Sequence, residues 1–507
     1  MTGRTDNKPA SIRLSSYLIS GRGILLAVEI DSVQFHVLNM HTRMPFRYGI
    51  ASLVALPHLF VRMVAKVDGV TSVGLSSEGL PPKWFTKDPE TRFEQDLVGM
   101  LEVIRKAAFH AQEAGTAQTV FDLWQHFYGR QKNWASGTDH PPLLWAFGVS
   151  LMERALIDAF CRAKETPFRE AVHANTLGIR LGDIHPVLGD AGPHSLLPET
   201  PTAEVDVRHT VGLTDPLTDA EIPVDERLDD GLPQSLESNL KVYGIRYLKI
   251  KLCGDSDRDL ARLGEIAGMM RSQEGPPARF TLDGNEQYRE VGPFRSLWES
   301  LLADADLRSF LEGLIFVEQP FHRDVALGDE VTGDLMQWAE RPSMIIDESD
   351  GELDSAPRAM ALGFAGTSHK NCKGVFKGIA NACLMAHRRV HTPEFPSLLS
   401  SEDLANLGPV ALPQDLAVLS CLGITHTERN GHHYFAGLSM FPADVQQEIV
   451  AAHGDLFAWR GDFAALDIRH GKLRIESAVE APFGRATELD VERYTPLDDW
   501  SADSLKL

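Results

Sequence analysis

The chain has 507 residues, 43% hydrophobic and 24% charged, enough for two or three domains around a large core. A formal net charge of −22 leaves no basic footprint, so nucleic acid and anionic membrane surfaces are poor partners. Its five cysteines (Cys161, Cys253, Cys372, Cys383 and Cys421) lack CxxC spacing, which fits a reducing cytoplasm. The opening MTGRTDNKPASIRLSS has no apolar signal core, and no apolar run approaches the roughly 18 residues of a membrane span.

In chain order, residues 23–39 and 59–77 read as strands, and Asp68-Gly69 marks a hairpin turn in the second stretch. Residues 93–127 and 143–163 are helical in pattern, with Phe93, Leu97, Met100, Leu101 and Ile104 on one face of the first. A small antiparallel sheet followed by helices predicts an α+β domain over residues 1–165. The stretch 185–237, rich in Pro, Asp and Gly, predicts turns and an acidic insertion around LTDAEIPVDERLDDG.

Five strand-like segments then follow, each with acid or lysine at its C-terminal end. They are YLKIKL (Lys249, Lys251), RFTLDGN (Asp283), LIFVEQP (Glu318), MIIDES (Asp347, Glu348) and GTSHKN (Lys370). The steps from Lys251 to Asp283, Glu318, Asp347 and Lys370 are 32, 35, 29 and 23 residues, the period of a strand plus a crossover helix. Between them, Leu260, Leu263, Ala267 and Met270 fall at helical spacing, as do Phe294, Leu297, Trp298, Leu301 and Leu302, and Phe376, Ile379, Ala380, Cys383 and Leu384. Further strands at 207–213, 397–403 and 422–428 bring the total to about eight, which favours a (β/α) barrel over a doubly wound sheet. The predicted barrel spans residues 166–464. The segment 465–507 is expected to return to the first domain, and FAALDIRHGKLRIESAV (463–479) reads as a late hairpin able to begin that return.

The charged ends would share one rim of the sheet. In YLKIKL, Leu248, Ile250 and Leu252 point one way and Lys249 and Lys251 the other. On a parallel strand covered on both faces, two inward ammonium groups cost several kcal/mol each unless paired. A lysine held near other cations has a lowered pKa and can act as a base. Asp283, Glu318 and Asp347 on one rim would repel unless a cation sat between them, and an oxygen-only ligand set selects Mg²⁺ or Mn²⁺. Strand parity does not separate Asp347 from Glu348. His426, His432 and His433 lack a Cys or HExxH partner and read as loop histidines rather than zinc ligands, and Lys373-Gly374 and Lys377-Gly378 lack P-loop spacing.

The ordered set KIK, LDGN, FVEQP, DES and a lysine on the next strand resembles the enolase superfamily. Within its mandelate racemase/muconate lactonizing enzyme family, the likeness is to the muconate lactonizing enzyme subgroup, with its dipeptide epimerases and o-succinylbenzoate synthases. MPFRYG (44–49) is similar to the first specificity loop, LMERALIDAF (151–160) to the helix entering the barrel, and SSEDLANLGPV (400–410) to the seventh-strand region.

The resemblance implies a modified TIM barrel with an α+β capping domain completed by the C-terminal segment. It implies that Asp283, Glu318 and Asp347 bind Mg²⁺ with Glu348 and Asn285 behind them. Lys251 and Lys370 would be the acid/base pair on opposite faces of a small carboxylate substrate, and Lys249 would tune Lys251. Loss of the α-proton would give an enediolate and lead to racemisation, epimerisation, β-elimination or cycloisomerisation. Arg47, Tyr48, Glu402 and Glu428 are candidate substrate contacts. Residues 41–50 and 76–88 are expected to close over the rim, offering Arg43, Arg47, Tyr48, Lys83 and Trp84, and a homo-oligomer is expected. The chain departs from the family pattern in its acidic insertion, in APFGRATELD, and where Lys373-Gly374-Val375 replaces the usual pair of glycines. A Schiff-base lyase using Lys370 and a non-catalytic binding homologue are the alternatives.

Overall fold

The computed structural model describes residues 27–48 and 51–506. The first sheet is an antiparallel meander of β1 (Val28–Tyr48), β2 (Ala51–Val67) and β3 (Val70–Gly79). Asp68 and Gly69 form the tight turn between β2 and β3, with φ of 51° and 82°. Asn, Asp and Gly tolerate such left-handed angles, so the Asp-Gly signal was a sound one. Residues 23–26 of the first predicted strand lie outside the described residues, as do Gly49, the last residue of MPFRYG, and residue 50.

Three expectations need correction here. β1 runs on through the predicted loop to Tyr48, because its far end pairs with β2 (Phe46↔Leu53, Arg47↔Ser52) past a register shift after His41. The predicted helix 93–127 is two helices, α2 (Phe93–Gln112) and α3 (Val120–Ala135). Gly115 adopts φ 75° between them, and Thr119 caps α3 by accepting the Asp122 amide at 3.1 Å. The hairpin expected from FAALDIRHGKLRIESAV does not reach the first sheet.

The fourth helix, α4 (Pro142–Ala163), is buried almost end to end. A helix apolar on most of its faces belongs in a core, and α4 packs against β2, β3, α2 and α3 on one side and the barrel's 371–373 turn on the other. Gly74 on β3 is the point of closest approach, since a Cβ there would lie 1.9 Å from the Ala155 carbonyl oxygen. Gly74→Ala should therefore lower stability by about 1–3 kcal/mol through overpacking. Denaturant unfolding measures it, and an unchanged midpoint would show that β3 can slide off α4 freely.

The barrel closes as predicted. Eight parallel strands, β4 (Glu204–Val211), β5 (Tyr247–Lys251), β6 (Arg279–Asp283), β7 (Leu314–Glu318), β8 (Met344–Ile346), β9 (Gly366–His369), β10 (Leu398–Ser401) and β11 (His426–Glu428), pair in sequence order, and β11 returns to β4. The intervening helices bury the expected faces, including Phe294, Leu297 and Leu301, although Leu302 is exposed.

At the C-terminal end, β12 (Phe457–Arg460) and β13 (Phe463–Leu466) pair with each other. β14 (Lys472–Arg474) lies antiparallel on the start of β4, so the predicted hairpin belongs to the barrel. The return to the first sheet comes later, where β15 (Thr495–Pro496) pairs with β1 and Asn39 donates to the Ser504 carbonyl at 3.0 Å. All five cysteines are free. Among the described residues, no helix is long and apolar enough to cross a membrane.

Candidate active site

Parallel pairing brings the charged strand ends to one level. Lys251 is opposite Asp283, Asp283 opposite Glu318, and Thr210 opposite Lys249. Lys249, Lys251, Asp283, Glu318, Asp347 and Lys370 are all buried, each at most 7% exposed. Ionised groups survive such burial only in mutual pairs, and the pairing is extensive.

Lys249 is the hub. Its ammonium lies 3.1 Å from Asp283, 2.8 Å from Glu318, 2.9 Å from Glu402 and 3.0 Å from Glu428. Burial works against its charge, but the four carboxylates outweigh this and hold its pKa well above the lysine range. Lys251 donates to Asp283 Oδ2 at 2.6 Å and to Asn285 Oδ1 at 2.7 Å. Lys249 and Lys251 thus share one carboxylate oxygen, so each ammonium stands close enough to act on the other.

On the opposite side, Lys370 donates to Asp347 Oδ2 at 2.7 Å, and its Nζ lies 4.6 Å from the centre of the Trp84 ring. Burial disfavours the Lys370 charge, but Asp347 prevails and raises its pKa. Burial likewise pushes Asp347 upward, and Lys370, Lys373 and Lys249 more than reverse it. Glu348 stands apart from these pairs. Burial, then the charges of Asp347, Glu286 and Asp283, push it up to about 7. Its Oε1 accepts from Asn285 at 2.9 Å.

A cavity of ≈ 40 Å³, room for about three waters, opens over this floor. Lys249, Lys251, Lys370, Asn285, Asp347 and Glu428 line it from the barrel, and Phe46, Leu53, Pro81 and Trp84 roof it from the first sheet and α1 (Pro82–Thr86). Both predicted covering segments therefore reach the rim. The roof is latched: Arg323 donates to the Trp84 and Phe85 carbonyls at 2.9 and 2.6 Å, and Lys87 pairs with Glu286 at 2.9 Å.

Several expected contacts lie elsewhere. Arg43 is a strut, donating to Asp230 at 2.6 and 2.8 Å and to the carbonyls of Leu232, Pro233 and His433, so it ties β1 to the acidic insertion. Arg47 donates to Thr214 at 3.0 Å and Lys83 pairs with Asp96 at 2.7 Å, both outside the cavity wall. Tyr48 ends β1, and its side chain lies outside what the structure describes. Glu402 is fully buried behind the cavity, its carboxylate held by Arg208 and Lys249. His432 and His433 are not loop histidines either. They sit buried in a short helix (Gly431–Tyr434), and His432 meets His209 at 3.2 Å.

Arg208, Thr210 and Ser368, which no sequence motif marks, belong to the network, and Lys373 joins it by a contact with Asp347 that its local sequence does not show. Strand parity was the available signal for the first two: Arg208 and Thr210 face inward from β4 as Lys249 and Lys251 do from β5.

The donor set suits a hard divalent cation. Carboxylates from three adjacent strands supply oxygen only, and two buried acceptors, Glu318 Oε2 and Glu348 Oε2, receive no hydrogen bond, although Lys249 faces the first at 2.8 Å. The acids are not drawn around a common centre: among the described residues no group of three metal-ligating side chains is so arranged, since ammonium groups stand between them.

No protein-family model and no curated protein matches the sequence. Solved structures do match the fold. The N-succinyl Arg/Lys racemase from Bacillus cereus ATCC 14579 is similar at a TM-score of 0.58 and 14% identity, over 92% of this chain and 98% of that one. A muconate lactonizing enzyme from Pseudomonas fluorescens, complexed with muconolactone, gives 0.56 and 16%, over 92% and 98%. A dipeptide epimerase from Enterococcus faecalis V583, complexed with Mg and L-Leu-L-Tyr, gives 0.53 and 16%, over 80% and 92%. The chain has the fold these enzymes share. In this fold, the lysine- and acid-bearing rim faces the roof of the first domain across one cavity.

Proposed function

We propose that this chain is an enolase-superfamily enzyme that removes the α-proton of a small carboxylate substrate, with Lys251 and Lys370 as its acid–base pair. The observation that carries the reading is that both ammonium groups, from strands separated by three others, line the same buried cavity. An α-proton of a carboxylate is very weakly acidic, so the enediolate it leaves needs preorganised positive charge. Mg²⁺, with Mn²⁺ as the alternative, would be held by Asp283, Glu318 and Asp347 and would supply further positive charge beside the substrate carboxylate. Asn285 orients Lys251, and Trp84 and Asp347 orient Lys370. Phe46, Leu53, Pro81 and Trp84 give the cavity an apolar roof.

A Schiff-base lyase on Lys370 does not call for the three rim carboxylates Asp283, Glu318 and Asp347, all of them buried here. Failure of borohydride to trap a keto-acid adduct on Lys370 would agree.

The direct test is exchange of the α-proton with solvent in D₂O across a panel of carboxylates. Exhaustive EDTA treatment should abolish exchange and lower the melting temperature, and added Mg²⁺ should restore both by binding the native state. Asp283→Asn should weaken Mg²⁺ binding. Full activity in the stripped protein rejects the metal requirement.

A further inference from the structure

Lys373 has no role in the chemistry above, yet its side chain is only 1% exposed and its ammonium points into the site. It lies 2.7 Å from Asp347 Oδ1 and donates to Ser368 Oγ at 2.9 Å and to the Ser368 carbonyl at 3.2 Å. Ser368 Oγ itself donates to the same Asp347 oxygen at 2.5 Å. Lys370 holds the other oxygen. Both oxygens of Asp347 are therefore engaged by donors from this chain, three in all.

The backbone fixes this arrangement. Asn371–Lys373 forms a tight turn directly after β9, closed by the Lys373 amide donating to the Lys370 carbonyl at 2.9 Å. Gly374 follows with φ 106°, an angle that disfavours any side chain. Beyond Lys373 stands Asp350, 4.0 Å away, which Lys377 and Thr367 already hold. The sequence Lys370, Asp347, Lys373, Asp350, Lys377 thus alternates in charge from the cavity inward, with three cations against two acids.

We propose that Lys373 is a positioning residue that competes with the divalent cation for Asp347 and so weakens the chain's grip on metal. The inference rests on the assignment of Asp347 as a ligand made above. An ammonium in contact with a ligand oxygen repels a second positive charge there and occupies a lone pair the metal would use. Holding Asp347 on both oxygens also fixes the carboxylate that orients Lys370.

Isothermal titration of the full chain with MgCl₂ tests this without recourse to activity. Lys373→Met should bind Mg²⁺ at least tenfold more tightly than wild type, while Lys373→Arg should not. Ser368→Ala should shift the affinity in the same direction by a smaller factor, and it decides the matter if Lys373→Met does not fold. A purely structural lysine would leave Mg²⁺ affinity unchanged or reduce it on removal, and either result in folded protein overturns the proposal alone. No Mg²⁺ binding by any of the chains overturns the metal assignment and the proposal with it.

Discussion

Lys251→Ala and Lys370→Ala should each cut turnover by about 10²–10⁴-fold, the usual worth of a positioned acid or base. The two lysines approach the cavity from opposite sides, Lys251 beside Asp283 and Asn285, Lys370 between Asp347 and the Trp84 ring. If the reaction is a racemisation, each alanine variant loses interconversion while one still exchanges the α-proton of a single enantiomer with solvent. If it is an elimination, one lysine takes the proton and the other serves as a fixed positive charge, so arginine in the second position retains some rate. Deuterium incorporation followed by NMR for each enantiomer separates these cases. Wild-type turnover in either alanine variant, with metal bound, returns the site to the binding-only alternative.

Lys249→Met should destabilise the fold by about 3–5 kcal/mol, the typical effect of stripping the partner from buried charges. The side chain lost is the common partner of Asp283, Glu318, Glu402 and Glu428, all within 3.1 Å of its ammonium. Arg208 remains beside Glu402 and Thr210 beside Glu428, but Glu318 has no other close cation among the described pairs. The variant should regain part of its stability in Mg²⁺, since a divalent cation can stand among the freed oxygens. Urea unfolding with and without metal measures both effects. Unchanged stability would mean that these acids do not depend on Lys249 for their charge balance.

The rim was legible in the sequence because it follows from period and parity alone. A charge placed at the end of each of several parallel strands must share a level with its neighbours, whatever the loops do, so Lys251, Asp283, Glu318, Asp347 and Lys370 could be grouped in advance. The hub was less visible. Glu402 and Glu428 lie 153 and 179 residues from Lys249, and nothing local joins them until β11 closes on β4. Arg43 was misplaced for a related reason: its partner Asp230 sits in the acidic insertion, a segment without periodicity. The covering segment expected at residues 41–50 is strand as far as Tyr48, because pairing with β2 extends β1 through it. Lys373 was legible as a residue but not as a contact, since its position depends on the tight turn after β9.

The burial of α4 on every side bears on how the specificity of this protein can be re-engineered. Its residues form, at once, the underside of the first sheet and a wall of the barrel: the Leu75 amide donates to Asp158 at 2.7 Å, and the Phe376 amide donates to Glu153 at 2.6 Å. A chimaera joined just before or just after this helix would split one continuous core between two parents. Exchangeable parts are therefore smaller than a domain. The paired strand ends that carry Phe46 and Leu53 and the single turn carrying Trp84 can be transplanted at their own ends, leaving α4 and everything it holds in the hands of one parent.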